Sequence, residues 1–482
     1  MIKTRFAPSP TGFVHLGSIR TALYSYLYAK QQGGHYILRI EDTDQSRFVE
    51  GAIENLINEM NWAGIYHDEG PVLSEHGLEE VGDSKPYLQS KRLGLYREAA
   101  ERLVKEDKAY PCFCSKERLE SLKEQGHFGY DQHCRNLDKE TVKKRLEAGE
   151  DHVIRLKMPL DQEMTLDDLV RGAITFNSKD SDDQVLIKAD GWPTYHLAVV
   201  VDDHHMGITH ALRGEEWISS TPKQMVLYDY LGWQAPRFGH LPTIMNKETG
   251  RKLSKRDGDV YVEDFRKKGY LPEALVNFLA LIGWNPGDER EIMDLQEMTE
   301  AFSFDRVSKS SGVFDYDKLN FMNNHYIREA EDTRLYNLMK DYLVPQHLEE
   351  SQYHQEHFMA LIALLKEKAD TLEELKELIL PFLQDEMAFE EDAREIIKAE
   401  HVTALFKRFK EEIKEVSWTE EDLKALIKTL GKELGIKGKD LFMPVRIGVS
   451  GNCHGSDLIK TIHLLGRDRV LERLETSLKE IE

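Results

Sequence analysis

Cysteine is scarce: four residues in 482, three of which, Cys112, Cys114 and Cys134, fall in one short stretch. They are too few and too clustered for a disulfide framework, which leaves a metal site or free thiols, with Cys453 standing apart. No apolar run approaches the ~20 residues that a membrane-spanning helix requires, so no membrane partner is expected. The opening Met1-Ile2-Lys3-Thr4-Arg5-Phe6 lacks the apolar stretch and small-residue cleavage site of a secretory signal, and a cytoplasmic location is the expectation. Internal repeats and low-complexity linkers are also missing. Cations are in the minority, with 64 Lys and Arg against 86 Asp and Glu. The resulting net charge of -22 favours solubility and repels a polyanion at long range. Summed charge does not describe local patches, so a basic face for phosphates is not excluded.

What is present describes a globular enzyme of several domains: 40% hydrophobic and 31% charged residues, in a chain several times the usual domain length. A short strand is expected around Thr4 to Ala7, followed by Pro8-Ser9-Pro10-Thr11-Gly12-Phe13-Val14-His15-Leu16-Gly17-Ser18. Two prolines and Gly12 stop the strand, Ser18 is expected to cap a helix through Leu27, and Gly33-Gly34 ends it. A buried strand follows at His35 to Ile40, leading into Glu41-Asp42-Thr43-Asp44 and a helix from about Glu50 to Trp62. Alternating strands and helices predict an α/β sheet. Ligands gather at the carboxyl ends of such strands, where Arg5 to Ser18 and Arg39 to Asp44 both arrive.

Two segments suit nucleotide chemistry. His15-Leu16-Gly17 opens a helix, where unpaired N–H groups attract phosphate and glycine permits close approach; on these residues alone an ordinary turn is the other reading. Downstream, Lys252-Leu253-Ser254-Lys255-Arg256-Asp257-Gly258 sets three cations within five residues, with Gly250 and Gly258 permitting loop movement. Mobile cations suit a polyphosphate, and a solvated surface loop is the alternative.

Taken together, Ala7-Pro8-Ser9-Pro10-Thr11-Gly12 with His15-Leu16-Gly17-Ser18 resembles the HIGH signature of glutamyl- and glutaminyl-tRNA synthetases, and the Lys252 loop resembles their KMSKS element. Arg39 to Asp44, Tyr195 to Asp203 and Arg213-Gly214-Glu215-Glu216-Trp217 are similar to the same family in the same order. Asp315 to Leu319, Asn324 to Arg328 and Leu441 to Arg446 resemble bacterial-type glutamyl enzymes, so the likeness spans the chain. Ser18 replaces the second histidine of the named motif, and Arg256 replaces the last small residue of the other; both lysines remain.

The resemblance implies an α/β Rossmann-like class I catalytic domain at 1–70 and 190–245, interrupted by an inserted acceptor-binding domain at 71–189. It further implies a stem-contact region at 246–323 with the KMSKS-like loop, then an all-α anticodon-binding domain at 324–482. The implied reaction joins L-glutamate to tRNA(Glu), and in a non-discriminating form also to tRNA(Gln), by way of glutamyl-adenylate, using ATP with Mg²⁺. Catalysis would fall to His15, Gly17, Lys252 and Lys255, with Ser9, Ser18, Glu216, Leu253, Ser254 and Arg256 completing the ATP site. Glutamate would meet Arg5 and Arg213 through its carboxylates and Glu41 through its ammonium, with Ala7, Ser9, Tyr195 and Val199 lining the pocket. Arginine suits this task because its planar fork binds carboxylate in bidentate fashion. Cys112, Cys114, Tyr130 and Cys134 resemble the zinc site of some relatives; a reduced thiol cluster is the alternative, and His133 is a second candidate for the fourth ligand. A monomer is expected by resemblance. The competing functions are a catalytically inactive tRNA-binding or regulatory paralogue, a glutaminyl enzyme, and the short paralogue that glutamylates a modified tRNA base.

Overall fold

The computed structural model describes residues 1–126, 129–253, 260–340, 342, 355–384 and 387–481. They divide into two units, Met1–Lys267 with Pro272–Tyr316, and Lys268–Leu271 with Asp317–Glu482. Among the described residues no helix is long and apolar enough to cross a membrane.

The first unit is built on β1 (Lys3–Phe6), α1 (Leu16–Gln31) and β2 (His35–Leu38). In α1 the residues Leu16, Ile19, Leu23 and Leu27 recur at helical spacing, and all four are buried. Gly33 adopts φ +59, a left-handed conformation that costs glycine little, and turns the chain into β2. After α2 (Ala52–Trp62) comes the long insertion, with β3 (Gly70–Ser74), β4 (Gly77–Val81), α3 (Leu93–Lys105), β5 (Ala109–Cys112), α4 (Lys116–Glu124), α5 (Lys139–Glu147), β6 (Val153–Leu156), β7 (Glu163–Asp168), β8 (Gly172–Asn177) and β9 (Val185–Ile187). These strands form small antiparallel sheets: β3 with β4, β7 with β8, and β5–β6–β9. The chain then returns through α6 (Tyr195–His205), β10 (His210–Gly214), α7 (Thr221–Tyr230), β11 (Arg237–Leu241) and β12 (Ile244–Asn246). The central sheet runs β11–β10–β1–β2, and every neighbouring pair is parallel. Strands far apart in sequence thus lie side by side, and their carboxyl ends open on one edge.

The helix after β1 begins earlier than the sequence suggests. His15, not Ser18, is its N-cap, and the His15 Nδ1 accepts from Gly17 N at 3.0 Å. Imidazole serves the capping role of Ser or Asp here because an acceptor aimed at the second helical N–H satisfies the same orphan donor.

Among the described residues of the second unit every regular element is a helix, from Asp332–Met339 to Arg467–Ile481. Its helices are amphipathic: in Glu400–Glu412 the buried residues are Val402, Leu405, Phe406 and Phe409. On the opposite face Arg408 pairs with Glu412 and with Glu433 at 3.0 Å each, so that charge run is a laced surface.

Candidate active site

A cavity of about 970 Å³ lies at the carboxyl ends of the parallel strands. Its wall carries six cationic side chains, Arg5, Arg20, Arg47, Lys188, Arg213 and Lys252, against three carboxylates, Glu41, Asp44 and Glu216. The cleft is therefore locally cationic within a chain of net charge -22, and the long-range objection to a polyanionic ligand does not apply here.

One end of the cleft is a buried ionic network. Asp203 on α6 accepts from Arg5 Nε at 3.1 Å and from Arg39 Nη1 at 2.7 Å, while Arg39 Nη2 reaches Glu41 at 3.0 Å. Burial drives the Asp203 carboxyl upward, yet Arg5 and Arg39 hold it below the usual carboxylate range. For Glu41 burial prevails, and its carboxyl is raised despite the same two guanidinium groups. Arg5 Nη1 donates to Leu212 O at 3.2 Å, which leaves Nη2 without a hydrogen-bond partner among the described residues. On the neighbouring strand β10, Arg213 donates through Nη1 to Gln224 at 2.6 Å and through Nη2 to Thr221 at 2.8 Å. Tyr195, the first residue of α6, packs at a tilt against Trp217 with ring centroids 4.2 Å apart.

His15, Gly17 and Ser18 line the same cleft. The Gly17 N–H is taken by His15, and the Leu16 N–H donates to Val260 O at 2.9 Å, so the first turn is not the open set of donors expected from the sequence. A side chain at Gly17 would meet the His15 ring in ordinary contact only; the space on its other side is open. The distant basic loop is tied to this turn at its exit, where Val262 N also donates to Val14 O at 3.0 Å. At its start Leu253 N donates to Ile244 O at 2.9 Å on β12. Lys252 and Leu253 line the cleft; Ser254, Lys255 and Arg256 lie outside the described residues.

Of the residues anticipated for glutamate, Arg5, Ala7, Ser9, Glu41, Tyr195 and Arg213 line the cavity. Val199 does not: it is buried in the apolar core with Leu197, Val200 and Val201. On the nucleotide side His15, Gly17, Ser18 and Glu216 line it as well. Sequence reasoning gave no role to Arg20, Arg47 or Lys188. Arg47 stands three residues after Asp44, so extending that motif would have found it, whereas Lys188 sits in no pattern at the edge of the insertion.

Away from the cleft, Cys112, Cys114 and Cys134 place their sulfurs within 4.8 Å of one another. The Tyr130 hydroxyl joins them, 3.2 Å from Cys112 Sγ and 3.6 Å from Cys114 Sγ. Burial, with Cys112 and Cys134 beside it, pushes the Cys114 thiol up to about 12. His133 is exposed, so Tyr130 is the better placed fourth donor. Three thiols at this spacing are donors of the kind a structural zinc takes, and the phenol oxygen stands beside them.

Residues 1–321 match the family of class I tRNA synthetases (E and Q), catalytic domain, and residues 334–478 match an anticodon binding domain. The chain is 50% identical to the glutamate–tRNA ligase of Finegoldia magna, covering 99% of each, and 49% identical to that of Clostridioides difficile, covering 98% of each. It is also similar to a crystal structure of a glutamate–tRNA ligase from Elizabethkingia meningosepticum in complex with its amino acid, with a TM-score of 0.91, 34% identity and full coverage of both chains. The chain belongs to the class I tRNA synthetases of the E and Q type, in the branch of the glutamate–tRNA ligases.

Proposed function

We propose that this chain is a glutamate–tRNA ligase that converts L-glutamate and ATP to glutamyl-adenylate and passes the glutamyl group to the 3′-terminal adenosine of tRNA(Glu), with the cationic cleft as its active site. The observation that carries the assignment of the site is the pair of buried arginines, Arg5 and Arg213, facing one cavity with Glu41 beside them. A dicarboxylate bearing an ammonium group needs that charge pattern: two forks for its carboxylates and one acid for its nitrogen. Ala7, Ser9 and Tyr195 shape the remaining wall.

In the first step the α-carboxylate of glutamate attacks the α-phosphorus of ATP, and the bond to pyrophosphate breaks. In the second a hydroxyl of the terminal ribose attacks the mixed anhydride, and AMP leaves. Such chemistry needs position and charge neutralisation more than a protein nucleophile. His15, Gly17, Ser18 and Glu216 hold the nucleotide, and Lys252, with Lys255 and Arg256 of the same loop, meets the negative charge that builds on the phosphates. Mg²⁺, bound with ATP, supplies further charge neutralisation at the phosphate oxygens.

The segment 71–189 serves the acceptor end, 246–323 the stem, and 324–482 the anticodon. The helical second unit and the relatives favour the glutamyl branch over the glutaminyl one. Cys112, Cys114, Tyr130 and Cys134 hold a structural zinc. The protein works as a cytoplasmic monomer, and a two-subunit mass in solution would overturn the monomer.

Aminoacylation with purified tRNA(Glu) and tRNA(Gln), each offered glutamate and glutamine, tests the reading. Glutamate on tRNA(Glu) alone marks a discriminating enzyme and glutamate on both marks the non-discriminating form. Absence of charging on either would return an inactive tRNA-binding protein to first place.

A further inference from the structure

Arg213 is held from behind. It sits opposite His240 in the register of the parallel pair β10 and β11, so the two side chains emerge side by side. Arg213 Nε donates to His240 Nε2 at 2.9 Å. A guanidinium N–H only donates, so His240 Nε2 presents its lone pair and the ring proton resides on Nδ1. That proton points at Asp168, whose Oδ2 is 2.6 Å from Nδ1. Asp168 is itself fixed: its Oδ1 accepts from the backbone N–H groups of Val170 and Arg171 at 2.9 Å each, and of His240 at 3.3 Å. The side chains of His240 and Asp168 are fully buried, so no solvent competes for these bonds. Thr221 closes the arrangement, donating to Trp217 O at 3.0 Å while accepting from Arg213 Nη2.

We infer that Asp168 and His240 are positioning residues for the glutamate site: the Asp168 carboxylate selects the tautomer of His240, and that tautomer sets the direction of the Arg213 guanidinium. Asp168 ends β7, a strand of the insertion, and β7 packs against β11. The orientation of a residue that binds the amino acid is thereby fixed by the inserted segment. With the other tautomer, an N–H would face the Arg213 N–H, and the fork would be displaced.

This inference rests on the reading of Arg213 as a glutamate contact. The test is tRNA-dependent ATP–pyrophosphate exchange by the full chain, with KM measured separately for glutamate and ATP, in R213A, H240F, H240Q and D168N, each accompanied by its melting temperature. H240F and D168N are expected to raise KM for glutamate by about tenfold, the scale of one hydrogen bond to a charged group, while KM for ATP stays within about twofold. H240Q retains an acceptor for Arg213 Nε and is expected to recover much of the loss. A merely structural role would lower melting and alter both KM values together, and it would show no rescue; that outcome overturns the inference. If R213A raises KM for glutamate but folded H240Q and D168N behave as wild type with H240F no worse, the relay fails and the glutamate reading stands. If R213A leaves KM for glutamate unchanged, both fall.

Discussion

Asp203 accepts from Arg5 Nε at 3.1 Å, with both side chains almost completely buried. The same carboxylate oxygen takes Arg39 Nη1, so its removal would leave two buried guanidinium groups short of a counter-charge. Breaking a buried pair by deleting one partner costs about 3–5 kcal/mol. Asp203→Ala is therefore expected to lose stability on that scale in urea unfolding, and to weaken glutamate binding by releasing Arg5. A variant within about 1 kcal/mol of wild type would show that the network does not hold the strands.

Glu69 yields a pH prediction. Its carboxylate receives Tyr87 OH at 2.6 Å and Lys3 Nζ at 2.8 Å, a cluster that joins β1 to the start of the insertion. Burial pushes the carboxyl up, but the hydrogen bonds from Lys3 and Tyr87 outweigh it and hold it at about 2. A folded value below the unfolded one, about 4.3, means that the contribution to stability is complete above about pH 4.3 and is lost as pH falls toward 2. Glu69→Gln is expected to be less stable than wild type at neutral pH and to lose less on acidification to pH near 3. Equal losses for the two proteins would remove Glu69 from the acid limb.

How much of this was legible beforehand follows from which signals are local. The α/β alternation, the C-terminal end of α1, the span of α2 and the helical character beyond Asn324 all follow from apolar spacing and from Gly33-Gly34, which a short window of sequence contains. The cleft itself emerged because Arg5, His15, Glu41 and Arg213 each sit in a recognisable segment beside a strand end. Pairings across the sheet were not legible. Nothing near Arg213 announces His240, 27 residues on, or Asp168 in the insertion. Their association depends on strand register, which no single segment encodes. The His15 cap was missed because histidine is an uncommon N-cap and Ser18 offered the usual residue type. Val199 was misplaced by one helical turn: Tyr195 heads α6 and faces the cavity, whereas Val199 lies deeper in that helix among apolar neighbours.

In the second unit Gly451 ends the helix Lys439–Ser450 at φ +77. A Cβ there would run into the carbonyl oxygen of Ala388, a backbone atom with little freedom to yield. Its own carbonyl accepts Glu390 N at 3.1 Å, so the segment cannot simply move away. Gly451→Ala combines a left-handed cost of about 1–2 kcal/mol with this overlap. Calorimetry should show the second unit melting earlier, with charging of tRNA reduced and ATP binding retained; unchanged melting would mean that the turn readjusts freely.

The cysteine cluster makes the remaining prediction. In a tetrahedral centre with Zn–S near 2.3 Å, neighbouring sulfurs stand about 3.8 Å apart. Cys114 and Cys134 are 3.6 Å apart, with the Tyr130 oxygen within reach of two of the thiols. The protein purified without chelator is therefore expected to carry one zinc per chain by elemental analysis, and Cys114→Ser to lose it. Tyr130→Phe should retain the metal more weakly, because three thiolates remain. The folded state of 109–156 would then depend on zinc, so chelation should expose the α4 and α5 region to protease while leaving the central sheet intact. A metal-free preparation with that region equally protected would assign the cluster to packing by reduced thiols.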